Sequence, residues 1–160
     1  MNTTTEPPPI LSTHPHPSPD SICLSFPNDA QCMAGLRATT RTFLRRTRPD
    51  DRALLADALL VVTELASNVI QHTDGPGLLT LISYRHALGI DVGDTSRTPP
   101  TVIPLSSDNL HGRGLLLVAA LTGSLTLTLD AGSGKTVHAL LPDRSTTPAP
   151  RPSPRPCRTW

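Results

Sequence analysis

Proline placement decides where this chain can fold. Of its 18 prolines, Pro7, Pro8, Pro9, Pro15, Pro17 and Pro19 crowd the start, and Pro148, Pro150, Pro152, Pro154 and Pro156 crowd the end. Each removes a backbone donor and fixes φ, so stretches this dense suit neither a helix nor a sheet interior. Residues 1–20 are therefore expected to form an extended or disordered arm. Residues 143–160, which add Arg144, Arg151, Arg155 and Arg158, are expected to form a second one. Leu, Val, Ile and Ala concentrate between the two, so one core-forming domain is expected over residues 21–142.

The charge pattern excludes some partners. A net charge of +1 with 17% charged residues supplies no concentrated basic face, so direct nucleic-acid binding is not expected. Cys23, Cys32 and Cys157 are odd in number and lack metal-ligand spacing. They argue against a disulfide framework and for a reducing compartment. The start MNTTTEPPPI has neither the basic nor the apolar region of a secretory signal. No apolar run is read as reaching the roughly 18 residues of a membrane span. A soluble, cytoplasmic protein without membrane contact is expected.

Within residues 21–142 the periods are distinct. SICLSF, residues 21–26, reads as a strand. A helix follows to about Arg46, capped by Asn28 or Asp29, until RTRP interrupts it at Pro49. Asp50 or Asp51 caps a second helix to about His72. Its stripe of Leu55, Leu59, Val62, Leu65, Ala66 and Val69 recurs at the helical period. Residues 78–84 and 88–94 read as a hairpin, and the Pro-rich stretch 97–111 as a long loop of the kind that forms lids. Gly112-Arg113-Gly114 opens a third helix. Residues 124–129 alternate as a half-buried strand, with Leu125, Leu127 and Leu129 on one face, and residues 135–141 pair back on it. The order β-α-α-β-β-loop-α-β-β lacks βαβ alternation. It predicts an α+β two-layer sandwich: a mostly antiparallel mixed sheet with helices on one face.

Three groups of residues could carry chemistry. Glu64 and Asn68 lie one helical turn apart and leave the same side of the second helix. A carboxylate can orient or deprotonate an attacking hydroxyl, and an amide oxygen can coordinate Mg²⁺. A plain solvent face, shared with Asp57 and Gln71, is the competing reading. Asp94 ends a strand in phase with the inward Ile90 and Val92, so its carboxylate needs a donor, which an adenine amino group could supply. Capping of the next turn is the alternative. Asp91, out of phase, should face away. In H111-G-R-G-L115 two glycines precede a helix, an arrangement that suits an anion. G132-S-G-K-T136 imitates the end of a phosphate-binding P-loop. It is rejected because Leu129 stands where the first glycine belongs and a strand, not a helix, follows.

Taken together, V61-V-T-E-L-A-S-N-V-I-Q-H72, V92-G-D-T-S96, H111-G-R-G-L-L-L-V118 and S133-G-K-T-V-H138 resemble, in order, the signature boxes of the GHKL (Bergerat-fold) ATPases. The likeness is closest to the RsbW-like anti-sigma-factor serine kinases of actinobacterial type. It spans roughly residues 21–142.

The resemblance implies a Bergerat fold with ATP and Mg²⁺ as cofactors. Glu64 would be the catalytic base and Asn68 the Mg²⁺ ligand. Asp94 would accept the adenine amino group. Gly112, Arg113, Gly114 and Leu115 would form the phosphate-wrapping segment, and Thr136 would lie near the adenine. It further implies a protein serine/threonine kinase acting as an anti-sigma factor. Its partners would be a STAS-type antagonist, a sigma factor, or both, and its state a homodimer. The alternatives are a nucleotide-binding partner module without catalysis and a related fold that binds nothing. The chain departs from the family pattern at Ser96, where the wider superfamily has glycine. It also lacks a tryptophan in L121-T-G-S-L125, and has His138 in place of another.

Overall fold

The computed structural model describes residues 20–96, 114–129 and 134–143. In chain order these form β1 (Asp20–Phe26), α1 (Cys32–Thr47), α2 (Arg52–His72), β2 (Gly77–Ser83), β3 (Ala87–Asp94), α3 (Gly114–Leu121), β4 (Ser124–Leu129) and β5 (Lys135–Pro142). The five strands make one sheet in the order β1-β2-β3-β5-β4. Every pairing among the described strands is antiparallel, so the sheet is not mixed as expected. Of the arm and tail expected over residues 1–20 and 143–160, residues 1–19 and 144–160 lie outside the described residues, as does the stretch 97–113, while Asp20 starts β1.

Alternation along the strands separates two faces. Leu79 and Leu81 of β2, Leu88, Ile90 and Val92 of β3, and Ala139 and Leu141 of β5 are buried under the helices. The opposite face carries Cys23, Thr80, Asp91, His138 and Thr126, which the register places side by side across all five strands. The architecture is therefore α+β, with a helical layer on one face of an antiparallel sheet.

Both long helices owe their position to the side chains they bury. In α1 these are Leu36, Thr40, Phe43 and Leu44, with the Thr40 hydroxyl donating to Leu36 O at 2.8 Å. The helix starts at Cys32, later than expected, after a turn in which Asp29 bonds locally while Asn28 reaches away. Asp29 Oδ1 accepts from Gln31 N at 2.9 Å, and the Asn28 amide donates across the fold to Thr73 O. In α2 the cap is Asp51, whose Oδ1 accepts from Leu54 N at 2.8 Å. Leu54, Ala58, Val61, Val62, Leu65, Ala66 and Val69 are buried, while Leu55 and Leu59 are only partly covered. The buried arc is wider than the expected stripe and rotated from it, because α2 meets α1, α3 and the sheet together. Full burial of one Val or Leu contributes about 1.5–3 kcal/mol. By length and a mean hydropathy of 1.7, α2 could cross a membrane, contrary to the sequence expectation, but its apolar residues pack against the other elements here.

Two smaller corrections concern the strands. The hairpin turn falls at residues 84–86, closed by Tyr84 N donating to Ala87 O at 2.9 Å, so β2 ends at Ser83 and β3 starts at Ala87, one residue earlier in each case than expected. In β4 the three leucines share the helix side by register, yet Leu127 is 40% and Leu129 51% exposed. β4 is an edge strand, and the eight-residue α3 is too short to cover its length. Only Leu125 packs against the core.

Candidate functional site

The expected site residues lie on the second half of α2, at the start of α3, at the end of β3 and at the start of β5, and α2 packs against each of the other three elements. Glu64 and Asn68 are half-buried on one flank of α2, not on a wet face. Gly114 opens α3 directly against Glu64. A Cβ at Gly114 would overlap the Glu64 carboxylate, so a side chain there would require the carboxylate to move. Glu64 and the glycine-rich segment, 50 positions apart in the sequence, are thus brought together. Leu115 turns the other way, is 7% exposed and belongs to the core. Gly112 and Arg113 lie outside the described residues.

β3 delivers Asp94 to the same layer. Ile90 and Val92 are buried and Asp94 continues their phase, so its side chain points to the helix side and is 5% exposed. Gly75, in the turn after α2, packs so closely on Thr95 that a Cβ there would overlap the threonine hydroxyl. That contact holds the end of α2 against the residue following Asp94.

The buried carboxylate is not waiting for a donor. Lys135 Nζ lies 2.9 Å from Asp94 Oδ1 and 2.8 Å from Oδ2, and Ser96 N donates to Oδ1 at 2.7 Å. The same ammonium donates to Ser96 O at 3.3 Å. Desolvating two charges is costly, and this compensating geometry makes their burial tolerable. Sequence reasoning missed Lys135. The signal was present: in KTVHALL, Lys135 shares the phase of Val137, Ala139 and Leu141, so an ammonium on an apolar face required an acidic partner.

Thr136, expected near the base, is placed differently. It pairs with Gly93 and Thr128, and its hydroxyl lies beside the position a Gly93 Cβ would take. That is the open face of the sheet, opposite Asp94. Lys135 rather than Thr136 is the β5 residue that meets the aspartate. The strand running from Lys135 agrees with the rejection of a P-loop, which would need a helix there.

Two other features are separate from this cluster. A cavity of about 570 Å³ lies at the α1–α2 corner, lined by residues 47–53 and Asp143. It sits at the opposite end of the β3–β5 pair from Asp94. On the open face, His138 Nδ1 is 3.0 Å from Asp91 Oδ1 and its Nε2 is 3.0 Å from the Thr128 hydroxyl.

The helix side of the sheet thus carries two groupings: Glu64 against Gly114 with Asn68 one turn further along α2, and Asp94 held by Lys135 at the strand ends. A comparison of the chain with protein-family models and with curated proteins gives no match.

Proposed function

We propose that the protein is an Mg-ATP-dependent protein serine/threonine kinase of Bergerat type, acting as an anti-sigma factor in partner switching. The observation that carries this reading is the contact of Glu64 with Gly114. It unites the carboxylate expected to act as base with the segment expected to wrap the phosphates. Asp94, with its side chain buried on the same side of the sheet and held by Lys135, is the group that the resemblance assigns to a base amino group.

The residues fit the cofactors on chemical grounds. The Asn68 amide oxygen is a hard donor of the kind Mg²⁺ takes, and Gly114 begins a helix, whose N-terminal N–H groups suit an anion. When bound, Mg²⁺ would supply charge neutralisation across the phosphates. Glu64 would orient the substrate hydroxyl and take its proton as the oxygen bonds to the γ-phosphorus and the bond to the β-phosphate oxygen breaks, releasing ADP. Positioning supplies most of the rate in such a transfer. Leu65, Val69 and Leu115 are buried in the core of the same layer.

The test is incubation of the protein with labelled ATP and candidate STAS-type antagonists. Transfer of label to a serine or threonine, lost in Glu64→Ala while Mg-ATP binding persists, is the expected result. Binding without transfer would favour a nucleotide-regulated partner module. Transfer at the normal rate by Glu64→Ala would remove Glu64 as the base.

A further inference from the structure

β5 lies between β3 and β4, so a side chain on its open face has neighbours on both sides. His138 stands directly opposite Asp91 on β3. On β4 it stands opposite Thr126, but its ring bonds the diagonal residue, Thr128. Three groups thus lie in series. Asp91 Oδ1 is 3.0 Å from His138 Nδ1, and His138 Nε2 is 3.0 Å from the Thr128 hydroxyl.

The chemistry of the end group fixes the direction of this chain. An ionised carboxylate only accepts, so Nδ1 carries the proton and donates it to Asp91. In the neutral ring Nε2 is then an acceptor, and the Thr128 hydroxyl donates to it. A hydroxyl bonded to an imidazole that a carboxylate orients is the arrangement that activates an alcohol as a nucleophile. Thr128 is exposed, so an incoming reagent can reach it.

The surroundings limit what it can take. From Thr128 the cross-strand row runs through Thr136 and Gly93 to Leu78. That row is uncharged, Gly93 adds no side chain, and Leu78 is 46% exposed, so a short uncharged group suits it. A sheet spends its backbone N–H groups in the ladders, so activation of an acyl donor has to come from its own leaving group.

We propose that Thr128 is a nucleophilic acyl-acceptor site, with His138 as its general base and Asp91 as the positioning residue for the ring, and that it takes short uncharged acyl groups from activated esters. Thr128 Oγ bonds to the ester carbonyl carbon while His138 Nε2 takes the hydroxyl proton. The bond from that carbon to the leaving oxygen then breaks, and the imidazolium gives its proton to the leaving oxygen. The products are acyl-Thr128 and a free alcohol. The site goes beyond the nucleotide reading, because it lies on the other face of the sheet and uses none of the residues assigned to the nucleotide.

The experiment is incubation of the full chain with para-nitrophenyl acetate, with acetylated positions and their rates followed by peptide mass spectrometry. Cys23 is exposed and thiols react with such esters, so the mapped position, not phenolate release, is the readout. Thermal unfolding establishes that each variant is folded. His138→Gln takes the place of His138→Ala if the alanine variant does not fold.

Thr128 should be acetylated about 10²-fold faster than Thr80 and Thr126 on the same face. His138→Ala should remove that advantage, Thr128→Ser should keep it at the same position, and Asp91→Ala should reduce it about tenfold or more. NMR of the ring nitrogens should also find the His138 proton moved from Nδ1 to Nε2 in Asp91→Ala, which a merely structural role of Asp91 would not produce. Acetyl groups confined to Cys23 and the amines overturn the inference. So does Thr128 reacting no faster than Thr80 and Thr126, or at an unchanged rate in His138→Ala. An unchanged rate and tautomer in Asp91→Ala overturn the role given to Asp91.

Discussion

Strands β3 and β5 carry two charged pairs that differ in little but the face they occupy. Asp94 faces Lys135 and Asp91 faces His138, each pair in direct cross-strand register. The pairs are offset by three positions on either strand, an odd number, so the pleat sends them to opposite sides. The distances are alike, 2.8 Å for Lys135–Asp94 and 3.0 Å for His138–Asp91. Exposure is not: 6% and 5% for the first pair against 38% and 26% for the second. The lesson is that the same pairing geometry does two jobs. Under the helices it compensates charges that could not otherwise be buried, and on the open face it links polar side chains that water would satisfy equally well.

The sharpest way to break this comparison is to remove the buried ammonium. Lys135→Met strands the Asp94 carboxylate and should cost about 3–5 kcal/mol in chemical denaturation. Adding Asp94→Asn should recover part of that loss, because no uncompensated charge remains, and a double-mutant cycle would give the coupling. If Lys135→Met costs no more than an exposed substitution, burial is not what distinguishes the pairs.

Catalysis gives the next contrast. Glu64→Ala should lower phosphoryl transfer by about 10²–10⁴-fold, the range for a general base, with Mg-ATP binding little changed. Gly114→Ala places a methyl group where the Glu64 carboxylate lies and should impair transfer through displacement of that carboxylate. Measurement of both rates under identical conditions would show whether the contact is functional.

On the open face, His138→Ala or Asp91→Asn should shift stability by about 0–1 kcal/mol and no more. The cysteines should repeat the contrast on a smaller scale. Burial pushes the Cys32 thiol up from the usual 9.0, and the nearby Asp29 charge adds to the rise, while Cys23 is exposed. A raised folded value favours the protonated thiol, so whatever it contributes to stability is present below pH 9.0 and is lost as pH rises past the folded value. Alkylation at pH 8 followed by peptide mapping should find Cys32 slower than Cys23, with the gap narrowing as pH climbs.

The sequence made the elements legible because their signals are local. Period 3.6 marked α2, period 2 marked β3, and the phase of Asp94 with Ile90 and Val92 correctly sent it inward and Asp91 outward. The spacing of Glu64 and Asn68 placed them on one flank of α2 for the same reason. What failed was non-local. Asp94 and Lys135 are 41 positions apart, and their meeting depends on β5 lying beside β3, which no single period encodes. Thr136 was assigned by position in a motif rather than by phase, and phase puts it on the other face. Asn28 read as a cap because the acceptor it uses, Thr73 O, is 45 positions away. The exposure of Leu127 and Leu129 follows from where α3 ends, a property of the packed layer rather than of β4.

The central claim is that nucleotide binds on the helix side of the sheet, at Asp94, and leaves the open face untouched. Titration of Mg-ATP into Asp94→Asn and Asp91→Asn compares those two faces with one atom changed in each. The account predicts roughly 10- to 100-fold weaker binding for Asp94→Asn, from loss of a buried charge-assisted acceptor, and wild-type affinity for Asp91→Asn. Equal affinity of the two variants, or loss in Asp91→Asn alone, would contradict it.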